Sequence, residues 1–247
     1  MKNIVFIAGA PASGKSVAKR YIGEFLEDDG FHVIHMSDKE ELLRVVENEM
    51  NGKASNPNGS VESENTILLD PSKPRESWGM VFKTARSLNT AHEEMFATIR
   101  DLSREYDPGR VVLAEIAYGQ DVEYPGGPLR QSAGEFVTQF MRLGIANKML
   151  ILDIQAGLEA RRPRNLLRTV GPIPDGEFIK YFGDGGGFGK TETQFLDGRY
   201  CGIKNEGVSL AELTREITGV YDMFIRPGIR GEGQRSSPEF FNPRTRR

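Results

Sequence analysis

The feature that most constrains this chain is an eight-residue segment close to its first residue. It fits the pattern G-x-x-x-x-G-K-[ST] at every fixed position and reads Gly9-Ala10-Pro11-Ala12-Ser13-Gly14-Lys15-Ser16. The run before it, residues 4–8, is apolar and rich in β-formers, which predicts a strand buried on both faces. The residues after it place apolar side chains at helical spacing to about residue 29. A glycine loop between a buried strand and a helix predicts a phosphate-binding site.

The chemistry of this loop gives each residue an expected role. Glycines let the backbone turn so that several N–H groups converge on phosphate oxygens, beside the positive end of the helix. Lys15 is expected to reach the β- and γ-phosphate oxygens, and the hydroxyl of Ser16 to ligate Mg²⁺. We therefore assign all eight residues to the binding of ATP, with Mg²⁺ as its cation. The Gly-Lys-Thr at 189–191 is not a second such loop, because Asp184 stands where the first glycine would be.

Further apolar runs alternate with helix-forming segments along the chain. They predict four more strands, at residues 31–36, 110–115, 148–154 and 200–204. Strands that alternate with helices imply a parallel sheet with right-handed crossovers, and 247 residues suit one α/β domain. Residues 51–75, rich in Asn, Gly, Ser and Pro, are predicted to form a variable insertion. Long helices, one of them broken once, are predicted at about 77–106 and 129–143.

The composition bounds the surroundings and the partners of the protein. The formal net charge is -3, so no global field marks the chain as a binder of nucleic acid or membranes. A single cysteine, Cys201, forbids a disulfide within the chain and favours a reducing compartment. No run approaches the roughly 20 apolar residues that a membrane helix needs. The three histidines have no metal-ligand spacing. These features predict a cytoplasmic protein.

Three carboxylates stand at the predicted carboxyl ends of strands, where open α/β sheets bind ligands. Asp38 follows the second strand and is a candidate to accept or orient the proton of an acceptor hydroxyl. It is equally a candidate cap of the next helix, a role for which Ser37 competes. Glu115 closes the third strand and could hold Mg²⁺ through water or bind the acceptor, or be only an exposed strand-end acid. Asp153, at the end of the fourth strand, is the second candidate for the magnesium role.

An arginine cluster follows the fourth strand and consists of Arg161, Arg162, Arg164 and Arg168. Phosphoryl transfer spreads negative charge over the γ-phosphate oxygens, and a planar, permanently charged guanidinium suits that position. We expect at least one of the first three to contact the phosphates as a catalytic residue and at least two of the four to form only a solvated basic face. The glycine-rich residues 183–189 are expected to be a flap over the nucleotide or else a plain loop.

Taken together, these residues resemble the nucleotide-kinase-like group of P-loop proteins: adenylate and shikimate kinases and the zeta-toxin-like and chloramphenicol-phosphotransferase-like enzymes. The matching segments are 9–16, 36–38, 158–164 and 204–207. The chain lacks the Asn-Lys-x-Asp of translation-factor-type GTPases, and its third strand ends in a lone carboxylate instead of the Asp-Glu of motor ATPases. It also lacks the Asp-Arg-Tyr and Arg-x-x-Gln patterns of nucleoside-monophosphate kinases, so a nucleotide acceptor is not supported.

The resemblance implies a three-layer α/β/α P-loop NTPase fold with a five-stranded parallel sheet in the order 2-3-1-4-5. It implies a kinase domain at residues 1–224, in which residues 158–197 form a lid and the acceptor binds over the second and third strands. It also implies that Asn205 and Gly207 line the adenine edge. Residues 225–247 carry six arginines and are expected to be a basic, flexible tail.

The function expected from these features is transfer of the γ-phosphate of ATP to a hydroxyl of a small-molecule acceptor. One alternative is a kinase that acts on, or binds to, nucleic acid through the basic tail. A second alternative is a regulatory P-loop ATPase without an acceptor. Salt-dependent binding to RNA or DNA would favour the former, and the lack of any acceptor that raises ATP turnover would favour the latter.

Overall fold

The computed structural model describes residues 2–105, 107–168, 173, 175–183 and 187–232. Ten strands lie in those residues: β1 (Ile4–Gly9), β2 (His32–Ser37), β3 (Val61–Glu62), β4 (Thr66–Leu68), β5 (Met80–Phe82), β6 (Arg110–Ala117), β7 (Val122–Tyr124), β8 (Gly127–Leu129), β9 (Met149–Gln155) and β10 (Tyr200–Lys204). Nine α-helices lie in the same residues: α1 (Lys15–Asp28), α2 (Asp38–Met50), α3 (Arg86–Arg104), α4 (Ala133–Arg142), α5 (Leu158–Leu166), α6 (Asp175–Phe182), α7 (Lys190–Leu196), α8 (Leu210–Val220) and α9 (Arg226–Arg230).

Five strands form one parallel sheet in the order β10-β9-β1-β6-β2. Numbered among themselves along the chain, these strands run 5-4-1-3-2, which is the predicted order read from the opposite edge. Strand β1 lies at the centre, between β6 and β9, and all six of its residues are buried. This position explains why its sequence is continuously apolar and does not alternate. The predicted α/β fold class is confirmed.

Helices cover both faces of this sheet. The side chains of β1 alternate between two cores, with Ile4 and Phe6 in one and Val5 and Ile7 in the other. Helices α3 and α4 cover the first core, where the ring of Phe6 stacks on that of Phe140 at 4.7 Å between centroids. Helices α1 and α8 cover the second core. The result is a three-layer α/β/α arrangement.

The segment predicted to be a variable insertion, residues 51–75, contributes to a second, smaller sheet. Strands β3 and β4 lie within it and pair antiparallel, and β4 also pairs with β5. Four side chains form the core beneath this sheet: Val46, Met50, Val61 and Leu68. The helix predicted from about residue 77 was wrong at its start. Helix α3 begins only at Arg86, because the apolar residues Met80 and Phe82 before it belong to β5 and pack against this small core.

A hairpin of β7 and β8 joins β6 to α4. The helix predicted from about residue 129 therefore begins four residues later, at Ala133. The carboxylate of Asp121 accepts a hydrogen bond from the backbone N–H of Ser132 at 2.9 Å. The hydroxyl of Ser132 in turn accepts one from the backbone N–H of Glu135 and caps the helix. These bonds fix where the chain leaves the hairpin.

The packed chain continues past residue 224, where the sequence analysis placed the end of the domain. A π-helical turn, Tyr221–Ile225, follows α8 and leads into α9. Ile225 and Ile229 are buried in the core that α1 and α8 cover. A five-residue helix containing Pro227 and Gly228 carries no helical pattern that a sequence can reveal, so the sequence analysis did not expect α9.

Two of the six arginines assigned to a flexible tail bind the body of the protein instead. The carboxylate of Asp29 accepts hydrogen bonds from Tyr221 Oη at 2.8 Å and Arg226 Nε at 2.7 Å. Arg230 Nη2 lies 3.5 Å from the same carboxylate. These bonds and ion pairs hold the pKa of Asp29 below its usual value, although burial acts in the opposite direction. The remaining predicted tail, 233–247, lies outside the described residues.

The predicted lid region, residues 158–197, contains helices α5, α6 and α7. Residues 169–172, 174 and 184–186 of this region lie outside the described part of the chain. The division of the chain into a kinase domain, a lid and a tail therefore stays a prediction. Among the described helices, none is both long enough and apolar enough to cross a membrane.

We predict that Ile229→Ala lowers the free energy of unfolding by about 2–4 kcal/mol, because it leaves a cavity in a closed core. Met223→Ala is the matched control, since the side chain of Met223 is 44 % exposed within the same C-terminal segment. Urea unfolding at pH 7 would compare the two variants. Equal effects would show that α9 does not belong to the folded domain.

A second prediction concerns His92, which is 5 % exposed and packs edge-on against Phe136 at 5.2 Å. Burial lowers the pKa of His92 to about 4. The folded protein therefore keeps this imidazole neutral, while the unfolded chain protonates it below about pH 6.5. Stability is retained above that pH and lost as the pH falls towards 4. Between pH 7.5 and 4.5 the wild type should lose about 2.5 kcal/mol more than His92→Phe. Parallel losses in both proteins would contradict this assignment.

Candidate active site

The glycine loop lies between β1 and α1, as predicted, and its backbone leaves no room for side chains at two positions. Gly9 and Gly14 have φ values of 153° and 107°. A Cβ atom on Gly9 would lie 2.6 Å from the carbonyl oxygen of Ile154. A Cβ atom on Gly14 would lie 2.6 Å from Asn205 Nδ2. These glycines are therefore required by close neighbours as well as by the turn itself.

Lys15 folds back over the loop that precedes it. Its side chain is 5 % exposed, and Nζ donates a hydrogen bond to the carbonyl oxygen of Ala10 at 3.0 Å. Burial lowers the pKa of Lys15, while the carboxylates of Glu115 and Asp38 act in the opposite direction. The ammonium group thus lies among the residues that the sequence analysis selected from three separate segments.

The residues of the loop fit a nucleotide phosphate and its cation. Ser13 is fully buried, and its Oγ finds no hydrogen-bond partner among the described residues, which suits a donor to a bound anion. Ser16 Oγ donates to Glu115 Oε1 at 3.1 Å. A hydroxyl and a carboxylate are the hard oxygen ligands that Mg²⁺ prefers. The pair would hold Mg²⁺ directly or through water, with phosphate oxygens completing the coordination.

Asp38 lies beside this pair, at the end of β2. Its Oδ2 accepts a hydrogen bond from the backbone N–H of Ala117, at the end of the neighbouring strand β6. Ser37 is the N-cap of α2 but makes no side-chain capping bond. Burial raises the pKa of Asp38, and the charge of Lys15 opposes that shift. Asp38 therefore joins two strand ends and keeps a carboxylate of raised basicity at the site.

Asp153 occupies a different environment from the one its predicted magnesium role requires. It is fully buried, and its Oδ1 accepts a hydrogen bond from Tyr118 Oη at 2.9 Å. Its Oδ2 accepts bonds from Tyr200 Oη and Gln155 Nε2, each at 2.9 Å. Burial raises its pKa, and these three donors oppose the shift. Because three donors satisfy the carboxylate, the structure gives no support to Asp153 as a magnesium ligand.

The three arginines selected as catalytic candidates each have another partner. Arg161 is 2 % exposed and donates through Nη2 to the carbonyl oxygen of Phe182 at 2.6 Å. Arg162 forms a two-point ion pair with Asp175, at 2.8 and 2.6 Å. Arg164 Nη2 donates to the backbone carbonyl oxygen of Asn205 at 3.1 Å. Arg164 Nη1 is buried and makes no hydrogen bond with the described residues, so a phosphate contact by Arg164 would not require its existing bond to break.

The side chain of Asn205 is hydrogen-bonded to the glycine loop. Its side-chain Nδ2 donates a hydrogen bond to the backbone carbonyl oxygen of Ser13 at 2.6 Å. Its backbone carbonyl oxygen accepts a hydrogen bond from Arg164 Nη2. Gly207 lies two residues on, in a left-handed turn with φ 66°. Asn205 contacts the loop over 192 residues of sequence, a relation that no local pattern could have revealed. The roles of Asn205 and Gly207 at an adenine ring stay predictions.

The flap predicted at 183–189 is described only in part, since 184–186 lie outside the described residues. Phe188 is 8 % exposed, and its ring packs against Tyr118 at 5.8 Å and Tyr200 at 5.4 Å. It rests on the two tyrosines that bind Asp153. The Gly-Lys-Thr at 189–191 begins helix α7, and the element before it among the described residues is helix α6 and not a strand, which agrees with its rejection as a second loop.

One cation that follows Asp38 in the chain, Lys39, was not selected as a site residue from the sequence. Lys39 directly follows Asp38 in the chain, and its Nζ donates a hydrogen bond to the backbone carbonyl oxygen of Glu76 at 3.2 Å. Burial lowers the pKa of Lys39, and the charge of Arg168 lowers it further. The signal for Lys39 was its position beside a strand-end acid. Arg168 stood in the arginine cluster without a feature that ranked it above the others.

Comparison with known proteins gives weak likenesses. No protein-family model matches the chain, and no curated protein matches it. The crystal structure of Chaetomium thermophilum Kti12 in complex with ADP-AlF3 superposes with a TM-score of 0.47 and 14% identity, over 90% of this chain and 98% of that one. An unliganded sugar kinase from Janibacter sp. HTCC2649 gives 0.47 and 8%, over 93% and 98%. At these scores neither likeness carries an argument, and the P-loop type of fold rests on the strand order and the glycine loop.

Proposed function

We propose that this protein is an ATP-dependent phosphotransferase that moves the γ-phosphoryl group to a hydroxyl of a small acceptor. The observation that carries the proposal is the convergence of three elements at one edge of the sheet. The glycine loop with Lys15 follows β1, the Ser16–Glu115 pair joins α1 to β6, and Asp38 follows β2. Phosphoryl transfer needs a loop that binds the phosphates, oxygen ligands that bind Mg²⁺ and a carboxylate that accepts the proton of the acceptor.

The loop residues would bind and orient the nucleotide. Backbone N–H groups within residues 9–16, apart from Pro11, which has none, would hold the phosphate oxygens. Lys15 would exchange its bond to the Ala10 carbonyl for bonds to the β- and γ-phosphates. Ser16 and Glu115 hold Mg²⁺, which when bound neutralises charge on the phosphates. Since the site excludes water from Lys15, each of these interactions is stronger than it would be in solution.

Asp38 would act on the acceptor. In the transfer step the acceptor oxygen forms a bond to the γ-phosphorus, and the bond from that phosphorus to the β–γ bridging oxygen breaks, leaving ADP. The hydroxyl proton passes to Asp38. The backbone N–H of Ala117 holds one carboxylate oxygen, so the orientation of the other is fixed. The same carboxylate also accepts a hydrogen bond from the backbone N–H of Lys39, so Asp38 would serve the start of α2 as well as the acceptor.

The alternatives draw less support from the geometry. One alternative is that the C-terminal arginines bind nucleic acid. Arg226 and Arg230 are less suited to this role, because both form ion pairs with Asp29. A regulatory ATPase would use the same loop with water in place of the acceptor hydroxyl. The base at Asp38 serves either reaction, so only the effect of acceptors on turnover separates them.

We predict that ADP release by the wild type rises at least tenfold with one member of a panel of sugars, polyols and aminoalcohols. Lys15→Ala should reduce this release by about 10²-fold or more, because its charge is matched to the phosphates. Lys190→Ala is the matched control, since it alters the other Gly-Lys-Thr of the chain. Turnover that no acceptor raises would support the regulatory ATPase, and wild-type turnover by a folded Lys15→Ala would sink the assignment of the loop.

Asp38→Asn should lower the turnover number by about 10²-fold or more while ATP affinity changes little. Asparagine keeps an oxygen that can accept from Ala117 N–H, so the fold should persist. Because burial raises the pKa of Asp38, the wild-type rate should rise with pH through a value above the usual 3.8. Glu40→Gln, an exposed acid in the first turn of α2, is the control. A variant that loses stability but keeps its turnover would show that Asp38 is structural.

A further inference from the structure

A cleft of about 700 Å³ lies between helices α3 and α4, on the opposite face of the sheet from α1 and α8. This volume falls within the range of small-molecule sites, roughly 300–1,000 Å³. Four residues of α3, spaced so that they share one helical face, line one side of the cleft: Asn89, His92, Glu93 and Phe96. Among the described residues that line this α3–α4 cleft, none belongs to the proposed phosphotransferase site.

Charged side chains of both signs line the α3–α4 cleft. Glu93 comes from α3, Glu135 and Arg142 come from α4, and Arg130 comes from the segment before α4. In the described part of the chain, no two of these four form an ion pair with each other, and Arg130 has one partner elsewhere, Asp121 at 3.9 Å. Because the opposite charges do not neutralise each other, both signs are available to a ligand.

His92, at the floor of the cleft, provides a second and independent observation. It is 5 % exposed, and its ring packs edge-on against Phe136 at 5.2 Å. Nδ1 is buried and makes no hydrogen bond with the described residues. Buried polar atoms in proteins nearly always have a partner, so an unpartnered nitrogen in the wall of a cleft is a candidate contact for a ligand.

The protonation state of His92 suits a ligand that donates a hydrogen bond. Burial lowers the pKa of His92 to about 4, so the imidazole is neutral at pH 7. A neutral imidazole has one nitrogen that accepts a hydrogen bond, whereas a protonated one has none. The ring can therefore accept from an ammonium group that also contacts a carboxylate of the cleft.

Ligands that carry only one sign of charge fit the cleft less well. A small anion would bind Arg130 and Arg142 but would also face the two glutamates, and a cation would meet the reverse arrangement. The described residues contain no group of three His, Cys, Asp or Glu side chains placed to hold a metal ion. A zwitterion can pair with both signs, so it is the class of ligand that the charges favour.

The spacing of the charges indicates the size of the ligand. Glu135 and Arg142 lie seven residues apart on α4, which is about 10 Å along the helix axis. Both side chains are long and flexible, so they can converge on a ligand shorter than that distance. Phe96 and Leu143 also line the cleft and offer apolar surface to the rest of the ligand. An amino acid or a short peptide combines these properties.

We propose that the α3–α4 cleft binds a small zwitterion, an amino acid or short peptide, whose ammonium group contacts the two glutamates and whose carboxylate contacts the two arginines. His92 accepts a further hydrogen bond from the ligand. This second site does not depend on the proposed phosphotransferase function, and binding at it makes or breaks no covalent bond.

The test measures binding to the full chain by calorimetry and ligand-observed NMR. The probes are leucine, γ-aminobutyrate and the dipeptide alanylleucine, each also in its N-acetylated and its C-amidated form. At least one zwitterion should bind, and each of its blocked forms should bind about tenfold more weakly or worse, because each loses one set of charge-assisted hydrogen bonds.

Paired variants assign each charge of the ligand to its partners. Glu93→Gln with Glu135→Gln should weaken binding of the zwitterion by about tenfold or more and leave binding of the N-acetylated form unchanged. Arg130→Gln with Arg142→Gln should do the same for the C-amidated form. His92→Phe keeps a flat ring and should also weaken the zwitterion. The matched control is Glu94→Gln with Arg104→Gln, an exposed acid and base of α3 outside the cleft.

Lys15→Ala separates this site from the glycine loop and should bind the zwitterion as the wild type does. If Lys15→Ala loses binding while the cleft variants keep it, the ligand occupies the phosphotransferase site and the proposal is overturned. A wild type that binds no zwitterion at about 10 mM, or that binds the blocked forms equally well, would also overturn it. If His92→Phe does not fold, the charge variants decide, because their side chains lie at the surface of the cleft.

Discussion

The parallel pairing of β1 with β6 on one side and β9 on the other is the constraint on which the rest of the structure depends. A strand paired on both edges and covered on both faces must be apolar throughout, and it can present polar chemistry only where it ends. The glycine loop begins at that end. Parallel neighbours bring their own carboxyl ends to the same edge, and the register pairs Ile7 with Glu115 and Ala8 with Asp153. The sheet itself therefore assembles the site.

Features fixed by a single segment could be predicted from the sequence. The position of the glycine loop can be predicted from its own residues and its flanking apolar run, and the five strands of the main sheet can be predicted from their largely apolar runs. The small sheet and the hairpin could not be predicted in the same way. Strand β5 is three residues long and exists because β4 pairs with it, and that pairing is a tertiary event. The same holds for α9, which is stabilised by Asp29 from the other end of the chain.

The candidate site divides along the same line. Lys15, Ser16, Asp38 and Glu115 converge because each stands at a strand end or a helix start, which a pattern can locate. The arginines could not be ranked, since helical spacing does not tell which guanidinium meets a carbonyl or a carboxylate. The partner of Arg161 lies 21 residues away and that of Arg162 lies 13 away. The hydrogen-bond partners of Asp153 could not be located either, because Tyr118 and Tyr200 come from two distant segments.

The two hydrogen bonds of Asn205 have a consequence for local unfolding. Asn205 directly follows the edge strand β10, and it binds Ser13 through its side chain and Arg164 through its backbone carbonyl oxygen. This one residue therefore connects the glycine loop, helix α5 and β10. Edge strands ordinarily open at lower free energy than the centre of a sheet. A ligand that locks the loop should raise the free energy of opening at this edge by mass action. Occupancy of the site should therefore slow amide exchange in β10, the strand that ends directly before Asn205.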